Sequence, residues 1–240
     1  PRSDTSVIEG LNLSIESGEK VAIVGHNGAG KTTLVKLISR MYLPQKGDIL
    51  INGKSLSEVK LDSLYKNMGV LFQEYNQYHS LSVRNNVYIG ASKKPFDEKR
   101  FVESLERADA LDFVNDLPNK FEQILSERYT DGTRLSTGQW QKLAIARFFY
   151  RDAPLVIFDE PTAAIDAVSE YNIFNKIYSF FEKKTVIIIS HRFSTVRNAD
   201  RIIVLSKGKI IEEGHHEELM KKDGHYAESF RLQAEGYSLA

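Results

Sequence analysis

An α/β fold built on a buried, mostly parallel sheet is predicted by three features of the 240-residue sequence. Apolar runs of strand length, over 20–24, 155–158 and 185–190, are near-continuous rather than alternating, which marks strands buried on both faces. Stretches of helical periodicity separate them. A glycine loop, Gly25-His26-Asn27-Gly28-Ala29-Gly30-Lys31-Thr32, joins the first strand to a helix over 33–38 that begins at Thr33.

The remaining elements follow in order. Residues 47–51 lead into Asn52-Gly53, a strong hairpin-turn pair. Residues 68–72 read as a short strand. From 97 to 117 the spacing is helical, with Phe101, Leu105 and Ala108 on one face and Pro95 just ahead. Val168, Tyr171, Phe174, Ile177 and Phe181 recur at helical intervals and read as a core stripe. Residues 201–206 and 209–213 flank Lys207-Gly208 as a closing hairpin, and 216–222 and 226–233 read as helices. The chain is thus read as one domain. A core of 1–73 and 151–240 holds a mixed sheet with flanking helices and an antiparallel part, and 74–150 is an inserted helical subdomain.

Bulk composition excludes several classes. Lys plus Arg and Asp plus Glu are 32 each, so nothing suggests a basic protein that lives on nucleic acid. The absence of cysteine excludes disulfides and Cys-based zinc sites. The longest apolar runs, such as Val186-Ile187-Ile188-Ile189, are far short of a membrane span, and no signal peptide is visible. His79, His215, His216 and His225 form no metal-like pattern and read as surface residues.

Chemistry concentrates at three places. The glycine loop lets backbone N–H groups curl around an anion at a helix N-terminus, with Lys31 in reach of β- and γ-phosphates and Thr32 able to ligate Mg²⁺. Strand 155–158 runs into Asp159-Glu160, at the end of the sheet where ligands bind. Asp159 suits Mg²⁺, and Glu160 suits orienting and deprotonating a water. Leu135-Ser136-Thr137-Gly138-Gln139 precedes a helix, with Ser136 as its natural N-cap and a second anion site at its start.

These residues resemble the ATP-binding cassette family, specifically the nucleotide-binding domain of exporters, over essentially the whole chain. Five motifs stand in the family's order: the loop from Gly25 to Thr33, Gln73 after a strand, the signature at Leu135–Gln139, Asp159-Glu160, and His191 after a strand. Ala164-Ile165-Asp166 looks like the D-loop. Residues 81–87, 190–196 and 199–202 are similar to exporters in particular. The resemblance implies an ATPase using ATP and Mg²⁺, the metal held by Thr32, Asp159 and Gln73. Lys31, Glu160, His191 and Gln73 would serve catalysis, with Gln73 also coupling to a transmembrane partner. Ser136, Thr137, Gly138, Gln139 and Asp166 would face ATP bound to a second copy, so two domains would sandwich two ATP molecules. A transmembrane domain fused N-terminally and a place on the cytoplasmic face of a membrane are implied, and no nucleic acid.

The sequence departs from the pattern in three ways. Thr137 stands where a glycine is usual. Glu127 is spaced further from the signature than the loop that contacts the transmembrane part. The aromatic residue that stacks on adenine would precede Pro1, outside this sequence. Two other readings are a soluble ATPase of the same family, as in DNA repair or translation, and a nucleotide-binding scaffold without turnover. Lys31, Glu160 and His191 together favour turnover. Tyr75, Tyr78 and Tyr88 read either as packing within the helical insertion or as an aromatic groove for a partner helix. No residue here specifies the transported substrate or whether the dimer is homo- or heteromeric.

Overall fold

The protein is described here from a computed structural model covering residues 6–162 and 164–238; the expected outer ends of the core, Pro1 to Thr5 and the last two residues, lie outside the described residues. The run at 20–24 forms β1 (Lys20–Val24), whose Val21, Ala22, Ile23 and Val24 are all fully buried. It is interior to a six-stranded sheet ordered β4-β5-β6-β1-β7-β8. Here β4 is Met68–Leu71, β5 Leu155–Asp159, β6 Thr185–Ile189, β7 Arg201–Ser206 and β8 Lys209–Gly214. β1 pairs in parallel with β6 and β7, β5 pairs in parallel with β6, and β8 returns antiparallel on β7. Apolar burial explains the continuous Val/Ile runs, since a strand covered on both faces has no polar side to alternate with. Each such side chain contributes roughly 1.5–3 kcal/mol. β2 (Leu50–Ile51) and β3 (Lys54–Ser55) form the expected hairpin, with positive φ at Asn52 (50°) and Gly53 (76°). The fold is the mixed α/β class expected.

Ten α-helices occur among the described residues: α1 (Lys31–Ile38), α2 (Leu61–Asn67), α3 (Val83–Tyr88), α4 (Glu98–Arg107), α5 (Leu111–Asn115), α6 (Thr137–Arg151), α7 (Ala167–Phe180), α8 (Phe193–Val196), α9 (His216–Lys222) and α10 (His225–Ser238). Two compact units divide the chain. The first comprises Pro1–Val70, Pro154–Glu160 and Glu182–Ala240; the second comprises Leu71–Ala153 and Pro161–Phe181. In the second, α6 is the central helix, burying Trp140, Leu143, Ile145, Phe149 and Tyr150. In the first, Phe193, Val196, Leu219 and Tyr226 build an apolar cluster that joins α8, α9 and α10 to β1 and β7 through Ala22, Val24, Ile202 and Val204.

The structure corrects three expectations and adds one element that the sequence did not announce. The helix expected over 97–117 is two helices. Asp109 takes a left-handed conformation (φ 56°), and the Ala110 N–H reaches the Leu105 carbonyl at 2.8 Å, closing α4 as a C-terminal cap does. A charged residue rather than glycine makes this stop, and the Lys142 ammonium donates to its carboxylate at 2.7 Å. Second, Val168 and Tyr171 are 72% and 56% exposed, so the stripe on α7 starts a turn late. Its buried face is Glu170, Ile173, Phe174 and Ile177, with Phe181 just beyond the helix, and Thr162 donates its hydroxyl to the buried Glu170 carboxylate at 2.5 Å. Third, α2 had no clear sequence signal; only Leu64 of it is buried. Fourth, His216 is half-buried, with its Nδ1 2.8 Å from the Tyr226 hydroxyl and its ring against Phe230. Burial, followed by the nearby Arg197 charge, holds its pKa below the usual histidine value.

Candidate functional site

Sheet register assembles the first group of residues. Ile189 pairs with both Ile23 and Asp159, so β1, β5 and β6 end side by side and the chain leaves them as Gly25, Glu160 and Ser190-His191. Gly25 is required where it stands: a Cβ there would lie 2.1 Å from the Leu205 carbonyl oxygen of β7. The β7–β8 turn also fastens the loop, since the Gly208 N–H donates to the Ala29 carbonyl at 3.0 Å. The loop ends on α1, whose start has no side-chain cap and no acidic residue in its first turn. Ser82, Asp97, Ser136 and Asp166 each cap their helices. The α1 start therefore keeps free donors and positive dipole for an anion.

Charged groups then crowd a small, largely buried volume. Lys31 is 6% exposed, and its ammonium donates to the carbonyls of Gly25 (2.6 Å) and His26 (3.1 Å). Burial lowers its pKa, against the raising influence of Glu160 and then Asp159. Asp159, 1% exposed, is pushed above the usual carboxylate range, chiefly by burial. A hydrogen bond from Thr32 opposes that shift, and the neighbouring Glu160 adds to it. Its Oδ2 is buried and has no hydrogen-bond partner among the described residues. A buried carboxylate oxygen without a partner costs free energy unless something binds it. An aspartate and a threonine hydroxyl are the oxygen donors Mg²⁺ takes when phosphates and waters complete its shell. The residues present fit that ion. Among the described residues no group of three or more His, Asp or Glu side chains could hold a metal by itself.

Glu160 adopts φ 52°, a strained backbone for a non-glycine residue, fixed by its N–H donating to the Ile189 carbonyl at 2.9 Å. His191 Nδ1 stands 3.3 Å from Glu160 Oε2. Lys31, Thr32, Asp159, Glu160 and His191 thus converge in the first unit.

The second unit holds the other group. Gln73 lies exposed in the bend after β4. Ser136 and Gln139 cap α6 reciprocally: the Gln139 N–H donates to Ser136 Oγ (3.2 Å), and the Ser136 N–H to Gln139 Oε1 (2.9 Å). Thr137 is exposed. A Cβ on Gly138 would come within 2.9 Å of the Ala164 carbonyl oxygen. The Ala164 N–H donates to the buried Gln141 amide oxygen at 2.9 Å. Lys142 donates to Ser169 as well as Asp109. Asp166 caps α7 by accepting the Ser169 N–H at 2.9 Å, and these bonds from Ser169 lower its pKa. The signature residues and the 164–166 loop therefore meet. Sequence reading missed Gln141 as the link, because an interior helix glutamine carries no local signal of its partner. The three tyrosines each make an internal contact. The Tyr75 hydroxyl donates to the Thr137 carbonyl (3.0 Å), the Tyr78 ring lies under the Arg147 guanidinium (4.8 Å), and the Tyr88 hydroxyl donates to the Lys94 carbonyl (2.8 Å).

Comparison with known proteins identifies the family. A family model described as ABC transporter matches residues 8–163. The ATP-dependent lipid A-core flippase of Alkalilimnicola ehrlichii is 40% identical over 238 residues, covering 99% of this chain and 40% of that protein. The protein of the same name from Syntrophus aciditrophicus is 40% identical over 230 residues, 96% of this chain and 37% of that one. A solved bacterial Atm1-family ABC exporter with ATP bound superposes with a TM-score of 0.88 at 34% identity, covering 96% of this chain and 39% of that one. The chain spans about two fifths of the length of these relatives. With a family model over more than half its length, the chain belongs to the ABC transporter family.

Proposed function

We propose that this chain hydrolyses ATP as the motor domain of a membrane exporter, working as a dimer on the cytoplasmic face beneath a transmembrane domain fused N-terminally. One observation carries the reading: Lys31, Thr32, Asp159, Glu160 and His191 meet at the ends of three adjacent strands, around a carboxylate oxygen that nothing among the described residues satisfies. The free N–H groups of the loop and of the α1 start take the phosphates, and Lys31 moves from its carbonyl partners to the β- and γ-oxygens. Thr32 and Asp159 would hold Mg²⁺, which neutralises phosphate charge when bound. Glu160 accepts the proton of the attacking water, and His191 holds the Glu160 carboxylate and the γ-phosphate in place. Ser136, Thr137, Gly138 and Gln139, with Asp166, face the nucleotide of the second copy. The relatives named as lipid A-core flippases make a lipid the first cargo to test.

Glu160→Gln keeps the shape and removes the base. Phosphate release is expected to fall at least about 100-fold with ATP binding retained. Near-normal release by Glu160→Gln overturns the assignment.

A further inference from the structure

We infer that Gln233, on the C-terminal helix, is a positioning residue for His191. Its side-chain amide grips the loop that carries this histidine from both sides. Gln233 Nε2 donates to the His191 carbonyl, and Gln233 Oε1 accepts the Phe193 N–H at 3.0 Å. An amide is the side chain that can do both, having a donor and an acceptor on one rigid plane. The grip is built, not incidental. Tyr226, Phe230 and Gln233 recur at i, i+4 and i+7, so they share a face of α10. The two rings pack on Phe193, with centroids 5.2 Å and 6.4 Å away, in the cluster beneath α8. That anchoring brings Gln233 to the one-turn span between His191 and Phe193. The other end of the loop is set by Ser190, whose hydroxyl accepts the Arg192 N–H at 2.9 Å. The His191 ring is about half exposed, and the contact described for it is the one to Glu160. Its backbone carbonyl is held by Gln233. The grip sets where the ring stands relative to the Glu160 carboxylate.

This inference rests on the catalytic reading of His191. The test uses Gln233→Met, similar in length and unable to form either bond, alone and combined with His191→Ala. With His191 intact, kcat is expected to fall roughly three- to tenfold, the effect of losing one neutral hydrogen bond or two, while the ATP Kd stays unchanged. In the His191→Ala background the same change adds nothing to the loss, since residues acting through one another are not additive. Amide hydrogen exchange reads the grip without any turnover: the Phe193 N–H exchanges faster in Gln233→Met. Equal kcat losses in both backgrounds, or unchanged Phe193 exchange, overturn the inference. If His191→Ala alone keeps full turnover, the proposed role of His191 fails instead, and Phe193 exchange still decides whether Gln233 holds the loop.

Discussion

Asp159 shows how one residue can be costly to the fold and required by the site. Its folded pKa is raised, mainly by burial, so the protonated form suits the fold. The associated stability is fully present below the ordinary aspartate value and is lost as pH rises through the raised one. At neutral pH the carboxylate is therefore a net burden on the ligand-free protein. Asp159→Asn is expected to melt higher than the parent at pH 7 without nucleotide. The gain is roughly 2–4 °C for each kcal/mol of relieved desolvation, and the gap should close toward pH 4. The same variant should lose most of the extra melting temperature that Mg²⁺ and ATP confer. Scanning calorimetry at the two pH values, with and without Mg-ATP, reads both effects. A variant that melts lower at pH 7 would mean the unpartnered oxygen is not a burden.

Between elements, α6 and the 164–166 loop approach closely within the second unit. Gly138 has no side chain where the Ala164 carbonyl passes, and Gln141 takes the N–H of that same residue. Gly138→Ala forces the loop away by a methyl group, an overpacking that costs about 1–3 kcal/mol. Its melting temperature should drop, and the Ala164 amide should exchange faster. Unchanged exchange would show that the loop absorbs the methyl elsewhere. This join also shows what the sequence could reveal. The strand runs, the glycine loop and the Asp159-Glu160 end are local patterns whose physics is contained in a few neighbouring residues. Gln141 with Ala164, and Gln233 with His191, are partnerships across long stretches of chain, and no spacing rule announces them. The break at Asp109 and the late start of the α7 stripe went unseen for the same reason. Lys142 favours the first, and Thr162 with Glu170 the second, from outside the local window.

For the whole molecule, the five-residue group at the strand ends is complete in the first unit, while Ser136 and its neighbours belong to the second. If those neighbours serve the nucleotide of another copy, Ser136→Arg should leave ATP affinity of the single chain intact. It should abolish ATP-driven dimerisation and reduce turnover by at least about 100-fold, as seen by calorimetry, sedimentation and phosphate release. Loss of single-chain ATP affinity would place Ser136 at its own chain's nucleotide. The order of strands carries a different consequence, for the birth of the protein. Val21 must wait for Ile187 on one side and Arg201 on the other before it gains a neighbour. On a ribosome, β1 emerges before both of its partners, wholly apolar from Val21 to Val24, and stays unpaired while the entire helical stretch is synthesised. Sheets closed by such distant pairings form slowly and leave sticky strands open meanwhile. The nascent domain therefore carries an exposed apolar strand until β6 and β7 arrive to cover β1.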